Sequence, residues 1–360
     1  MIRRPPVFTF TLLTCLYIVA CSKGKDDSEK KTEPNKKSLA IDVIASDLEF
    51  PWGLAFLPGG DLLFTERPGR LGLLSKGGKQ IKTIAARDVQ QFSEGGLLGV
   101  TVDPDHINNH FIYLYETATE SNQVVRFTLE DGSLANEKVI IRGIPKNGNH
   151  NGGVLQFGPD GYLYIGTGDA QLPSSSQDIE SLAGKILRVD REGAPAPGNP
   201  FNNMIWSYGH RNVQGLAWDD QGKMYATEHG PSGDLGWCCH DEVNLVEKGG
   251  NYGWPLALGG TEKDSLRQPV SHSGNDTWAP SGCAVTGERA LWPGTLAVAC
   301  LRGQKIIRFR LDSDGRSVTG RSDTLEGTFG RIRNIVEAPD GDIIFCTSNG
   351  DDQIARIPAW

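Results

Sequence analysis

One phrase returns along this chain: a short apolar run, a turn built from Pro, Asp and Gly, and a second apolar run. It reads LAFLPGGDLLF at residues 54–64, LQFGPDGYLY at 155–164, LAWDDQGKMY at 216–225 and IVEAPDGDIIF at 335–345. Turn chemistry between runs of high strand propensity is the signature of a β-hairpin. Two looser copies lie at residues 99–115, where the turn is stretched around Asp103, Pro104 and Asp105, and at 284–299, around Trp292, Pro293 and Gly294. Hairpins returning at roughly 45 to 75 residues, without a long helical pattern between them, predict an all-β, six-bladed β-propeller. A β-sandwich would not need the same inner hairpin so many times.

No internal linker interrupts the repeats, so residues 39–360 read as one domain. The segments Leu39 to Leu48 and Gln353 to Trp360 are expected to share a blade, which would close the ring and remove its open sheet edges. Forty-five Gly and twenty Pro suit a chain made of turns, and a net charge of -8 argues against a nucleic-acid partner.

The N-terminus carries Arg3 and Arg4, then an apolar stretch from Val7 to Ala20 that is short for a membrane span. Residues 1–20 therefore read as a signal peptide. Ile18-Val19-Ala20-Cys21 resembles the bacterial lipoprotein box, in which the Cys is acylated and becomes the new N-terminus. Residues 21–38 are polar and charged, as a solvated tether should be. Acyl chains on Cys21, at ~0.8 kcal/mol per buried methylene, would hold the protein on the periplasmic side of a membrane. Ser22 after the Cys favours the outer one.

Export frames the remaining cysteines. Cys283 and Cys300 lie about equally far from the turn at Trp292, Pro293 and Gly294, so a cross-strand disulfide is expected. Cys238 and Cys239 are adjacent, which leaves a vicinal bridge or, with His240 and Asp241, a metal site whose spacing matches no common zinc pattern.

The innermost strand of each propeller blade runs along the central channel, so residues at one offset ahead of those strands gather on one face of the ring. Roughly six to ten residues ahead of the turns stand Glu94, Asn149 and His150, Arg211 and Asn212, and Arg331 and Arg333. Arg302, after the strand at Thr295 to Cys300, joins them. Guanidinium forks match carboxylates bidentately, so the expected occupant of such a mouth is a small polyanion, planar if it slots across the channel. His150, flanked by Asn and glycines, is the natural general base. A second cluster follows the fourth hairpin: Glu228, His229, Gly230 and Pro231, then Asp241 and Glu242, then Asn251 and Tyr252. Turn carbonyls of Gly230 and Pro231 beside carboxylates make hard oxygen ligands of the kind Ca²⁺ takes, or else a loop with an acidic solvent face.

These strings, in this order, resemble the PQQ-dependent soluble aldose sugar dehydrogenases, the family that includes soluble glucose dehydrogenase. The carriers are EGGLLG at 94–99, NHNGG at 149–153, WSYGHRN at 206–212, EHGP at 228–231, DE at 241–242, NYGWP at 251–255, APSG at 279–282 and RIR at 331–333. The resemblance implies oxidation of an aldose C1 hydroxyl to a lactone, with hydride passing to PQQ and electrons leaving to an external acceptor. It makes His150 the base. It assigns Arg211, Asn212, Arg302, Arg331 and Arg333 to the cofactor's carboxylates and quinone oxygens, with Glu94 where relatives carry Gln. It gives the carbonyls of Gly230 and Pro231 to a Ca²⁺ that polarises the quinone, and matches Glu242 and Tyr252 to calcium-binding residues of the aldose type. Against that pattern residues 235–240 are an insertion, and Arg302 replaces a Lys.

Two other functions fit a six-bladed propeller of this kind. One is a calcium-dependent lactonase or esterase, whose central ion needs carboxylate and amide side chains where this channel is predicted to present Arg. The other is a lipoprotein that binds a partner protein without chemistry.

Overall fold

The structure is a computed structural model and describes residues 39–78 and 80–359. The predicted signal peptide, Cys21 and the tether lie outside the described residues. The repeats resolve into six antiparallel sheets of four strands each. Among the described residues the helices are one short α-turn, His106–Asn109, and two 3-10 segments. The α-turn is what stretches the turn of the second hairpin.

The innermost strands are Pro51–Phe56, Leu97–Val102, Leu155–Phe157, Val213–Trp218, Pro280–Val285 and Ile332–Glu337, and they begin blades one to six. Each touches the next, and the sixth touches the first, so the ring is closed. The sixth blade is completed by Asp42–Ala45, which pairs with Ile354–Ile357 as expected for a shared blade. Asp42 and Arg356 add an ion pair of 2.6 Å across that seam.

The inner strands approach so closely that they demand glycine. A Cβ on Gly53 would sit 2.8 Å from the backbone nitrogen of Val100 in the next blade. Gly99, Gly215 and Gly282 hold the same place in blades two, four and five. Blade six carries Asn334 there, and its amide donates to the carbonyl of Trp52 at 3.0 Å. At this level the pairing with the second strand slips, between Pro51 and Leu54, Leu97 and Val100, Val213 and Gly215, Pro280 and Cys283, and Ile332 and Asn334. A bulge of this kind bends the strand end and re-aims the side chains beside it. The core lies between blades. Tyr113 and Tyr115 of blade two, for instance, pack with Leu155, Ile165 and Leu187 of blade three. The outermost strands, such as Ile81–Ala86 and Val318–Thr324, are mostly exposed.

The expected Cys283–Cys300 disulfide is not formed. The slip in the inner strand sets Cys283 opposite Val298 and Cys300 opposite Pro280, so the two are not cross-strand neighbours. Both are buried free thiols, and burial pushes the Cys283 thiol up to about 12. Cys238 and Cys239 are bridged to each other, which removes both sulfurs from any metal site. The Asp241 carboxylate is likewise engaged, by the backbone N–H groups of Gly230, Trp278 and Ala279 at 2.7 to 2.9 Å.

Candidate active site at one mouth of the channel

His150 lies in the segment that enters the inner strand of blade three. Its backbone takes a left-handed φ of 61°, and its N–H donates to Glu94 Oε2 at 2.8 Å. Asp169 follows the second strand of the same blade and is fully buried. Its Oδ1 accepts from His150 Nδ1 at 2.7 Å, while the indole N–H of Trp254 donates to its Oδ2 at 2.8 Å. On the other side of the ring, Arg211 Nη2 lies 2.8 Å from His150 Nε2. A guanidinium only donates. Nε2 is therefore the acceptor and Nδ1 carries the proton shared with Asp169. The ring is held as a neutral imidazole whose lone pair faces Arg211 and the channel mouth, the form a general base needs.

Arg211 is itself fixed. Its backbone N–H donates to Glu228 Oε2 at 2.7 Å, its Nη1 donates to the carbonyl of His229 at 3.1 Å, and its guanidinium lies 5.5 Å from the centre of the Trp254 ring.

Beside this pair is a cavity of about 280 Å³ lined by Arg67, Arg331, Arg333, Gln214, Glu94 and His229, among others. Arg333 is buried and donates to Gln214 Oε1 at 2.8 Å and Ser281 Oγ at 3.0 Å. The Nε groups of Arg67, Arg331 and Arg333 are buried without a partner, as is His229 Nε2. Burial lowers the Arg333 guanidinium to about 10, with Glu94 opposing the shift and Arg67 and Arg331 deepening it. Arg331 is lowered first by burial and then by Arg302. The His229 imidazole is driven well below 6.5, by burial and then by Arg333 and Arg211. Clustered like charges with unmet donors are a binding site for an anion with several acceptor groups, because only such a ligand cancels the repulsion and fills the hydrogen bonds together. PQQ, flat and with three carboxylates, meets that requirement.

The glucose/sorbosone dehydrogenase family model matches residues 48–356. The chain belongs to that family. It is 30% identical to the aldose sugar dehydrogenase YliI of Escherichia coli, over 89% of this chain and 93% of that protein. Among solved structures it is similar to the PQQ-bound aldose sugar dehydrogenase of Streptomyces coelicolor, at 37% identity and a TM-score of 0.81. That match covers 89% of this chain and 98% of the other. It is also similar to a putative oxidoreductase (glucose dehydrogenase) of Thermus thermophilus, at 40% identity and a TM-score of 0.83, over 89% and 99% of the two chains.

In this family member the predicted residues divide. His150, Arg211, Glu94, Arg331 and Arg333 meet at the mouth. Asn212 is adjacent and braces two blades: its Oδ1 accepts from the Gly152 N–H at 3.0 Å, while its Nδ2 is buried and unpartnered. Arg302 is exposed and near enough to Arg331 to lower its guanidinium electrostatically. Gly230, Pro231, Glu242 and Tyr252 line one small cavity of about 10 Å³ with Glu228, Arg211 and Trp254. Glu242 is raised well above 4.5, by burial and then by the facing Glu228. Two carboxylates buried against each other, beside turn carbonyls, are a donor set that fits a hard divalent cation. The Tyr252 hydroxyl is turned elsewhere, donating to the carbonyl of Leu245 at 2.7 Å and accepting from the Glu247 N–H at 2.9 Å.

Arg67 and Asp169 are not reached by the offset ahead of the inner strands, and His229 and Trp254 stand in the sequence reading only as parts of strings. A second offset finds three of these four. Arg67, Asp169 and His229 follow the second strands of blades one, three and four, and those strand ends face the same mouth.

Proposed function

We propose that this protein oxidises aldose sugars at C1 to lactones in a PQQ-dependent reaction assisted by Ca²⁺. The observation that carries the reading is the pairing of a lone-pair-bearing His150 Nε2 with a cradle of Arg67, Arg331 and Arg333, whose buried Nε groups are unmet. PQQ, when bound, supplies the electrophilic quinone that takes the hydride from C1. His150 Nε2 takes the proton of the C1 hydroxyl as the carbonyl forms, and Asp169 stabilises the resulting imidazolium through Nδ1. For that transfer the C1 hydroxyl must take the place of Arg211 Nη2 at Nε2, while the His229 carbonyl and the Trp254 ring keep the guanidinium beside the site. Arg67, Arg331 and Arg333, with Gln214, would hold carboxylates. Gly230, Pro231 and Glu242 would hold Ca²⁺, next to Arg211.

The test is reconstitution. Purified protein with PQQ and Ca²⁺ should reduce a redox dye only when an aldose is added. Failure to bind PQQ removes the cofactor assignment, whereas bound PQQ with no sugar-dependent reduction removes the substrate. The lipoprotein box further supports a periplasmic, lipid-anchored location. Mass spectrometry of the mature N-terminal peptide should find acylated Cys21, and an unmodified Cys21 would refute it.

A further inference from the structure

The cradle that fits a polyanion does not serve the whole of a sugar. A pyranose presents hydroxyls at its edges and a face of C–H groups, and that face needs an apolar partner. Such a partner stands at the mouth, on the insertion at residues 235–240. Leu235 is 60% exposed, Trp237 is partly exposed and Cys238 is exposed.

The loop is pinned at its base. Ser232 bridges Cys238, and the Gly233 N–H donates to the carbonyl of Trp237 at 2.9 Å. Cys239 is buried and bridged to Cys238, and the Thr277 hydroxyl donates to its sulfur at 3.3 Å. The His240 N–H donates to the carbonyl of Gly274 at 2.8 Å, and its ring stacks on His272. The loop therefore presents Trp237 from a fixed position.

That position is continuous with the site. The Trp237 ring meets Trp254 edge to face, with centroids 6.2 Å apart. Trp254 in turn holds Asp169, which holds His150, and its face carries Arg211. We propose that Trp237, set by the Cys238–Cys239 bridge, is the platform against which the C–H face of the substrate sugar rests. The proposal builds on the aldose-oxidation reading and assigns its sugar subsite. An indole carries no group that titrates in water, so Trp237 selects and positions the substrate and takes no part in proton transfer.

The experiment combines kinetics on the PQQ- and Ca²⁺-loaded full-length protein with isothermal titration of D-glucose and maltose into cofactor-free protein. Trp237→Ala should raise KM for both sugars roughly five- to tenfold, with kcat and PQQ affinity unchanged. Trp237→Phe should restore most of the loss. A Cys238→Ser/Cys239→Ser double variant, which keeps the indole and unfastens its support, should show a smaller rise in KM. An unchanged KM in Trp237→Ala, or a fall in kcat or PQQ affinity with KM constant, overturns the proposal. The two readings fail separately. Wild-type protein that binds maltose but not PQQ defeats the oxidation reading and leaves the platform, whereas Trp237→Ala protein with wild-type affinity for maltose defeats the platform alone.

Discussion

Blades three and four each pair a histidine with a carboxylate at the end of the second strand, and the two pairs end differently. In blade three Asp169 holds His150 Nδ1, and Nε2 faces Arg211 at the channel mouth. In blade four Glu228 holds His210 Nδ1 at 3.1 Å, but Nε2 is met by Ser207 Oγ at 2.9 Å. His210 is fully buried and its ring stacks on Tyr252. One local device thus serves two ends. His210 Nε2 meets a hydroxyl buried within the fold and acts as a brace, whereas His150 Nε2 meets a guanidinium at the channel mouth that a substrate hydroxyl would displace, which is the place of a reagent.

The sharpest way to break that contrast is His150→Ala. It should lower kcat by about 10³-fold with the fold and PQQ affinity kept, since a positioned base contributes 10² to 10⁴. Near-normal dye reduction would remove His150 from the chemistry. Asp169→Asn should cost less, roughly 10- to 100-fold in kcat. The amide oxygen can still accept from Nδ1, but the amide nitrogen cannot accept from the Trp254 indole, so the charge that stabilises the imidazolium and one buried hydrogen bond are lost together. A larger fall than that of His150→Ala would show that Asp169 does more than orient the ring.

His210→Ala should do the reverse. Leaving Glu228 and Ser207 without their partner should cost about 2–3 kcal/mol and lower the melting temperature by several degrees, with kcat per folded molecule changed less than tenfold. A stable His210→Ala protein that is inactive would make both histidines reagents. The smallest effect concerns Glu242, whose folded value is raised. The protonated form is favoured in the fold, so the ion-free protein loses stability as pH climbs from 4.5 toward that raised value. A cation between Glu228 and Glu242 offsets this loss. Millimolar Ca²⁺ should therefore raise the melting temperature more at pH 8 than at pH 5, by about 1–2 kcal/mol of added stability. An equal shift at both pH values would place Ca²⁺ elsewhere.

The ring was legible because each inner hairpin spells its own turn, and offset ahead of those turns located His150, Arg211, Glu94, Arg331 and Arg333. That offset could not reach Arg67 or Asp169, which come after second strands and look there like ordinary strand ends. Trp254 lies in an irregular segment with no repeat to index it. The Cys283–Cys300 expectation assumed an unbroken register, and the slip between Pro280 and Cys283 invalidates it. Arg302 has the right place in its blade, and its side chain is exposed beside Arg331 rather than part of the cavity lining.

The seam in blade six has a consequence for biogenesis. Asp42–Ala45 emerges from the ribosome early, and its partner Ile354–Ile357 is among the last segments made. Five blades can pair in chain order while one strand waits without its partner, and the circle locks only when the last strand arrives. Truncation before Ile354 would leave Ile343–Thr347 and Asp42–Ala45 both without the strand they pair with, two adhesive edges that favour association with neighbouring molecules.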